Sequence, residues 1–546
     1  MKKLQHILSA VLSFALLLGS TTACEDRLNI EKHGNMGSMD EYYQTDADAE
    51  AALAAMYLSW RGLHYNWWFV KNTLSDEVWA AGGQRGDNTD LEKLNEYTFD
   101  TSNSMIQGLY SGLYSLIYSA NLIIDRVPGT TEVMQRAIAE AKVARAWAHS
   151  ELVSLWGTAP KVDHLLSTDE YRQPNGTPED TWAFVEQDLT EAIESGALKS
   201  KTGLNDAETG IRLTLEAAKA FLGKAYVFQG KYDKAASILD EVIDSKKYDL
   251  YEDFDGLFHA SANNCCESIF ELQLRNDQDQ AWNQWAMFYI MVGWRTDKLS
   301  VMGDAQSSVA IGTYGFMNPR KSAYDAFVAE EGVDGYRLNN TIRTYEQMED
   351  FGVSIKSGNA LVGSEGYFSW KTRILKSDLV IDQSYFQVLQ WINYRIMRYA
   401  EVLLLAAEAH LQSGVETDKA LEYVNEVRGR AHLPALTTVT MEDVKSEKRL
   451  ELYLEGCRFQ DLVRWGDAKS ALGEQGKEIP QLGYFAVTDE NGEVVKDEAG
   501  NPVYEFEQRW PYTNTNYGFQ ENKHELLPIP LREMEVNSNM QQNLGW

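Results

Sequence analysis

The residues of this chain best suited to chemistry are aromatic, and they gather in two places. The first runs from Trp60 to Trp79 and includes Tyr65, Trp67, Trp68, Asn72 and Asp76; a glycine-rich stretch, Gly82-Gly83-Gln84-Arg85-Gly86-Asp87-Asn88, follows it. The second is Trp282, Trp285, Phe288, Tyr289 and Trp294, with Asn283, Gln284, Arg295 and Asp297 interleaved. Flat rings flanked by amides, carboxylates and guanidiniums suit ligands with C–H faces and hydroxyl rims, as sugars have. The expected contacts are therefore Trp67, Trp68, Asn72, Asp76, Trp79 and Arg85 from the first group, and Trp282, Trp285 and Trp294 from the second. Adjacent Trp67 and Trp68 cannot share one face of a helix or strand, so at least one is expected near the surface. The competing expectation is that these rings pack the scaffold; Trp282, Trp285 and Tyr289 fall on one helical face. Trp370 is a weaker candidate, and Trp147, Trp182 and Trp391 are assigned to the core.

Catalytic patterns are missing. There is no G-x-S-x-G, no phosphate loop and no dinucleotide fingerprint. No C-x-x-C or H-E-x-x-H marks zinc. With 81 Asp plus Glu, some pair will stand at the roughly 5–10 Å that glycoside hydrolysis needs, which keeps a secreted helical glycosidase as the rival reading. Asp87-Asn88-Thr89-Asp90 with Glu92 could hold calcium but lacks the EF-hand spacing, and a solvated acidic turn is the favoured reading. The expectation is no catalytic residue, no metal and no cofactor. Lys plus Arg number 50, so the net charge is −31, and a surface that acidic repels phosphate backbones and excludes nucleic acid as a partner.

These residues need elements to position them. Lys2 and Lys3, the apolar run Ile7 to Leu18, and the small residues before Cys24 make residues 1–23 an expected signal peptide. Cys24 directly after Ala23 resembles a lipoprotein cleavage site. Thr21 departs from the strict pattern and leaves plain secretion open. Residues 24–40 read as a tether. The body divides into a helical part, 41–250, and a second part, 251–546, in which loop-rich stretches 251–390 and 470–525 sit on helices over 391–469. Helical spacing runs from Asp46 to Trp60 and from Glu132 to Leu155, and Thr177-Pro178 opens another helix. Leu222-Gly223, Tyr226, Ala235 and Leu239 fit a tetratricopeptide pair, and a weaker copy begins at Glu401. Two copies are too few to stand alone, so other helices must cover them. Glu447 to Gly466 reads as one charged helix with pairs three and four apart, and Asp489-Glu490-Asn491-Gly492 as a hairpin turn.

Taken together, several segments resemble the SusD/RagB family of bacterial outer-membrane glycan-binding lipoproteins. They are Glu151 to Pro160, the tetratricopeptide unit with Gly230-Lys231-Tyr232, Arg398 to Ala409, Val424 to Arg428, Glu447 to Gly466, and the tail Leu527-Pro528-Ile529-Pro530 with Glu533, Asn537 and Gln542 to Trp546. The resemblance implies a mainly α, SusD-like fold. It implies capture of oligosaccharide or polysaccharide without catalysis, and a SusC-like TonB-dependent transporter as partner. It further implies a place on the cell surface, anchored in the outer membrane by lipid on Cys24. A protein-binding repeat scaffold is the third reading; it would place its contacts on the concave repeat surface instead of on loop tryptophans.

Overall fold

The computed structural model describes residues 42–279, 287–310, 312–380 and 389–546. The signal segment, Cys24, the tether, Trp282 and Trp285 lie outside these residues. Helices dominate, as expected. In chain order the main ones are α1 (Asp46–Thr73), α2 (Ser104–Arg126), α3 (Glu132–Trp156), α4 (Pro178–Glu194), α5 (Leu215–Phe228), α6 (Tyr232–Asp244), α7 (Tyr399–Ser413), α8 (Thr417–Arg430), α9 (Met441–Glu451) and α10 (Arg458–Trp465). Their starts follow local chemistry. Thr45, Thr131, Thr177, Thr214 and Thr440 each accept the backbone N–H three residues on, which satisfies a donor the helix leaves orphaned.

The helices α5 and α6 form the expected tetratricopeptide pair. A Cβ on Gly223 would stand 2.4 Å from Leu239 Cδ2, so only glycine lets the two helices cross this closely. The helices α7 and α8 form the second pair, and α6 packs directly on α7 although the loop-rich segment separates them in sequence. Asp240 of α6 fastens this joint: it accepts from Tyr423 Oη at 2.8 Å and pairs with His410 at 3.1 Å and Lys419 at 2.6 Å. On the other side of α5, α3 and α4 continue the stack, while α1 and α2 pack on α3. These are the covering helices that two repeats require. The quoted tail motif closes the start of the body. Leu527 N–H donates to Leu155 C=O, Trp156 Nε1 to Pro528 C=O, and the Asn543 amide to Trp156 C=O.

The charged segment differs from expectation. It is two helices, α9 and α10, broken by Leu454 (φ 59°) and Gly456 (φ 74°) in the left-handed region. The ion pairs change accordingly. Lys448 meets Asp461 across the break, Arg449 and Arg458 both meet Asp76, and Glu447 and Glu451 reach arginines elsewhere in the chain.

Eleven short strands occur among the described residues: β1 (Val78–Ala81), β2 (Ser268–Leu272), β3 (Leu299–Val301), β4 (Phe316–Pro319), β5 (Ile342–Thr344), β6 (Val353–Ile355), β7 (Ala360–Val362), β8 (Tyr367–Ser369), β9 (Tyr394–Arg398), β10 (Glu478–Ala486) and β11 (Tyr504–Thr513). They pair as β1–β4, β2–β9, β3–β6, β5–β8 and the three-stranded β11–β10–β7, all antiparallel. The expected turn at Asp489–Gly492 exists, but it is one of two. Gly492 (φ 81°) and Gly500 (φ 84°) each turn the chain in the long tip between β10 and β11. The loop-rich stretch has a small core of its own, with Trp294, Leu299, Met348, Phe368 and Trp370 packed beneath Leu482 of β10.

Candidate functional site

Most of the expected contact residues that are described are buried. The last two turns of α1 are enclosed on every side, and all seven residues from Trp67 to Thr73 are buried. Trp67 packs on Trp147 and against Gly456, with Lys71 Nζ 4.4 Å over its ring. Trp68 meets Phe288 edge to face at 4.6 Å. Both rings are buried because a helix enclosed all round offers core on opposite faces; both also line a small cavity of about 80 Å³ with Phe288, Tyr289 and Tyr394. Asn72 pins the break between α9 and α10, donating to Leu454 C=O and accepting from Gly456 N–H. Asp76 pairs with Arg449 and Arg458; burial pushes its carboxyl up, but the two arginines outweigh that and hold it down to about 2.

Trp79 sits in β1 with its Nε1 donating to Glu365 at 2.8 Å and the Arg320 guanidinium 3.6 Å over its ring. Trp294 stacks into the small core against Trp370 and Phe351. Trp370 itself is sandwiched between Arg343 and Arg373 at 3.5 and 4.1 Å. Trp147 is buried as expected, and Trp182 and Trp391 are partly buried against the main core. The acidic residues of the suggested calcium turn already have donors. Asp87 accepts from Gly83 N–H, Asp90 from Ser104 and Glu92 from Gly86 N–H, while Asn88 caps the helix Thr89–Glu96. The other acidic cluster, Asp240, His410 and Glu416, has Lys419 Nζ paired with both carboxylates.

What remains exposed lies on the β10–β11 hairpin. Of the tryptophans among the described residues, Trp510 alone is exposed, at 43%. Its placement follows from a β-bulge. Gln481 faces Arg509 and Ile479 faces Tyr512, so Trp510 and Pro511 together oppose the single Pro480. A bulge bends the strand and re-aims a side chain. Here the Trp510 ring lies 6.1 Å from Trp79 at 68°, supported on one side and open on the other. Phe506 is half exposed in the same way, stacked on Tyr345 at 5.1 Å and beside Tyr484. Arg85, which pairs with Glu96 and Glu92, lies 5.7 Å from the Tyr512 ring towards one end of β11, and the half-exposed Tyr504 stands at the other end. A Cβ on Gly83 would strike Arg295 Nη1 at 2.8 Å, so the glycine-rich loop packs directly on that guanidinium.

Of the expected residues, Trp79 meets the exposed Trp510 and Arg85 reaches the Tyr512 ring on the same strand. Trp510, Phe506 and Tyr504 were not expected. Their signal was the period-two alternation of Tyr504, Phe506 and Trp510 with Glu505, Glu507 and Arg509, the mark of a half-exposed strand. The set consists of ring faces and paired ions, which stack and hydrogen-bond.

Known proteins agree with this architecture. A sequence model described as "Starch-binding associating with outer membrane" matches residues 36–227. SusD-like protein P38 of Formosa agariphila is 26% identical over 510 residues, covering 87% of this chain and 94% of its own. The starch-binding protein SusD of Bacteroides thetaiotaomicron is 24% identical, over 70% of this chain and 73% of its own. Among solved structures, a laminarin-binding SusD-like protein superposes with a TM-score of 0.74 at 26% identity, covering 92% of this chain and all of its own. Surface glycan-binding protein A from Bacteroides thetaiotaomicron, in complex with laminarihexaose, gives 0.70 at 22% identity over 91% of this chain and 99% of its own, a likeness of fold alone. A model described as "SusD family" matches residues 266–546, more than half of the sequence, and the chain belongs to that family.

Proposed function

We propose that this protein captures oligosaccharide at the cell surface without cleaving it and hands it to a SusC-like TonB-dependent transporter. The observation that carries the reading is Trp510, a large ring left in water on a strand whose other tryptophan neighbour, Trp79, is fully committed to the fold. Leaving so much apolar area exposed has no return in folding, whereas a sugar's C–H face would cover it. Arg85 supplies a guanidinium at the edge. The starch- and laminarin-binding relatives support the same ligand class. Trp282 and Trp285 stay in the proposal as further contacts.

The test is calorimetric. The protein lacking residues 1–24 is titrated with neutral oligosaccharides, and each mixture is checked for new reducing ends. Trp510→Ala is expected to weaken binding about 30-fold, some 2 kcal/mol, the scale of an aromatic hot spot. The unfolding midpoint should hardly move, because the ring is at the surface. Unchanged affinity in that variant would remove Trp510 from the site. New reducing ends would favour the glycosidase.

Anchoring is proposed through Cys24. One acyl chain holds a protein only weakly at a membrane and two or more hold it firmly. No helix among the described residues is long and apolar enough to cross a membrane. Expressed in its native kind of host, the wild-type protein is expected in the detergent phase with radiolabelled fatty acid incorporated. Cys24→Ala should lose the label and the detergent partition; a labelled Cys24→Ala protein would refute the anchor.

A further inference from the structure

A second face carries rings and hydroxyls of the same kind, built from other elements. Along α2, Tyr110, Tyr114 and Tyr118 recur every four residues, with Ser111, Ser115 and Ser119 beside them. That spacing lays two adjacent stripes along one side of the helix. The stripes form one wall of a groove of about 510 Å³. The segment after α3 and the C-terminal tail, with Tyr171 and Glu533, form the other. The size lies within the roughly 300–1,000 Å³ of ligand clefts. The groove is held open by bonds that need no ligand. Tyr114 Oη donates to Pro160 C=O at 2.7 Å, and the Asn537 and Asn539 amides donate to Gln173 and Arg172 C=O at 2.7 and 2.8 Å. Glu533 and Asn537, part of the tail motif, thereby have a place in the molecule that the hairpin site does not use.

The chemistry of the walls selects a ligand class. Tyr118 and Tyr171 are 55% and 64% exposed, so their ring faces are open. Ser115 and Ser119 donate to the carbonyls of Ser111 and Ser115 at 2.9 Å, which leaves their oxygen lone pairs as acceptors. Glu533 adds a carboxylate, and among the described residues no lysine or arginine lines the groove. Acceptors without cations, in a chain of net charge −31, disfavour phosphate, sulfate and acidic peptides. They suit a neutral ligand rich in hydroxyl donors.

We propose that the Tyr118–Tyr171 groove is a second binding site for neutral oligosaccharide, separate from Trp510; the choice of a sugar as occupant rests on the glycan-capture reading. Hydroxyl-radical footprinting of the protein lacking residues 1–24 tests both sites independently. The probes are laminarihexaose and maltohexaose, with oligogalacturonate as the charged control. Saturating neutral hexasaccharide is expected to protect Tyr118 and Tyr171 several-fold from oxidation, in the wild type and equally in Trp510→Ala. The galacturonate should leave them unprotected. Tyr118→Ala/Tyr171→Ala, two surface changes, should abolish one calorimetric binding event and leave protection of Trp510 intact. Protection of Trp510 alone overturns the groove and spares the hairpin reading; protection of the tyrosines alone does the reverse. Protection of neither by either sugar overturns both. Protection of the tyrosines on intact cells but by no free sugar overturns the groove proposal in favour of a protein neighbour.

Discussion

Glu451→Ala is expected to lower the free energy of unfolding by about 3–5 kcal/mol, the cost of breaking a buried ion pair from one side. Glu451 is fully buried at the end of α9 and faces three guanidiniums. Arg398 and Arg337 approach its carboxylate to 2.6 and 2.9 Å, and Arg430 is closer still. Burial alone would push this carboxyl up, but Arg430, Arg398 and Arg337 outweigh it and hold the group far below the ordinary carboxylate range. Each arginine also serves at least one other acid: Arg398 meets Glu267 and Glu455, Arg337 meets Glu331 and Glu447, and Arg430 meets Glu267. Alanine would leave positive charge facing a void with no water to solvate it. Since domains are stable by only about 5–15 kcal/mol, this variant is expected to unfold at much lower urea and to accumulate poorly. Glu442→Ala is the control. It removes an exposed partner of Lys445 on the same helix and should change stability by less than about 1 kcal/mol. Equal urea midpoints for Glu451→Ala and wild type would show that the arginines re-pair without it.

The same network explains what could and could not be read in the sequence. The helices marked by apolar spacing, the Thr177 cap and the Gly223 crossing are local signals, set within a few residues, and they were legible. So was the segment Glu447 to Gly466 as architecture. Its wiring was not, because Glu447, Glu451 and Arg449 find partners at Arg337, Arg398 and Asp76, and no spacing rule reaches across the chain. The burial of Trp67 and Trp68 has a related cause. The expectation that Trp67 or Trp68 must reach the surface assumed a helix with one wet side. The end of α1 has none, since Trp147, Gly456 and Phe288 close on it from different directions. Asn72 and Asp76 look like ligand contacts in sequence and serve the α9–α10 break in three dimensions. Trp510 was missed in the opposite way. Its strand alternation was visible, but the surrounding segment reads as loop, and the bulge that turns its ring outward exists only as a register shift against β10.

Acid should destabilise the protein through its buried histidines, and His64→Phe and Glu77→Gln should change the pH dependence in opposite directions. His64 is stacked on Tyr394 at 3.9 Å and 5°, and burial pushes its pKa down to about 3. His149 is fully buried. Its Nδ1 lies 2.9 Å from Arg145 C=O and its Nε2 accepts from Val162 N–H, a pattern that only the neutral ring satisfies; burial pushes it, too, down to about 3. Between about pH 6.5 and 3 the unfolded chain therefore binds protons at these rings and the folded chain does not. Stability rises with pH in that window and is lost as pH falls through it, by about 2 kcal/mol per ring at pH 5. Glu77 works the other way. Burial, and then the charge of Asp76, raise its carboxyl to about 7 against the pull of Arg458 and Arg449. Between about pH 4.5 and 7 the folded chain holds this proton and the unfolded chain has released it, so stability falls as pH rises. Carboxylates held low, such as Asp76 and Glu451, give stability that is lost only as pH falls below about 4.5, so they leave the window between pH 7.5 and 5 clear. Phenylalanine keeps the stack on Tyr394 without titrating, so His64→Phe should lose about 2 kcal/mol less than wild type between pH 7.5 and 5 in urea unfolding. Glutamine keeps an acceptor for Leu454 N–H without the charge, so Glu77→Gln should gain stability at pH 7.5 and lose more than wild type on acidification. Parallel pH profiles for wild type and both variants would mean that these groups titrate in the folded protein as they do in the unfolded chain.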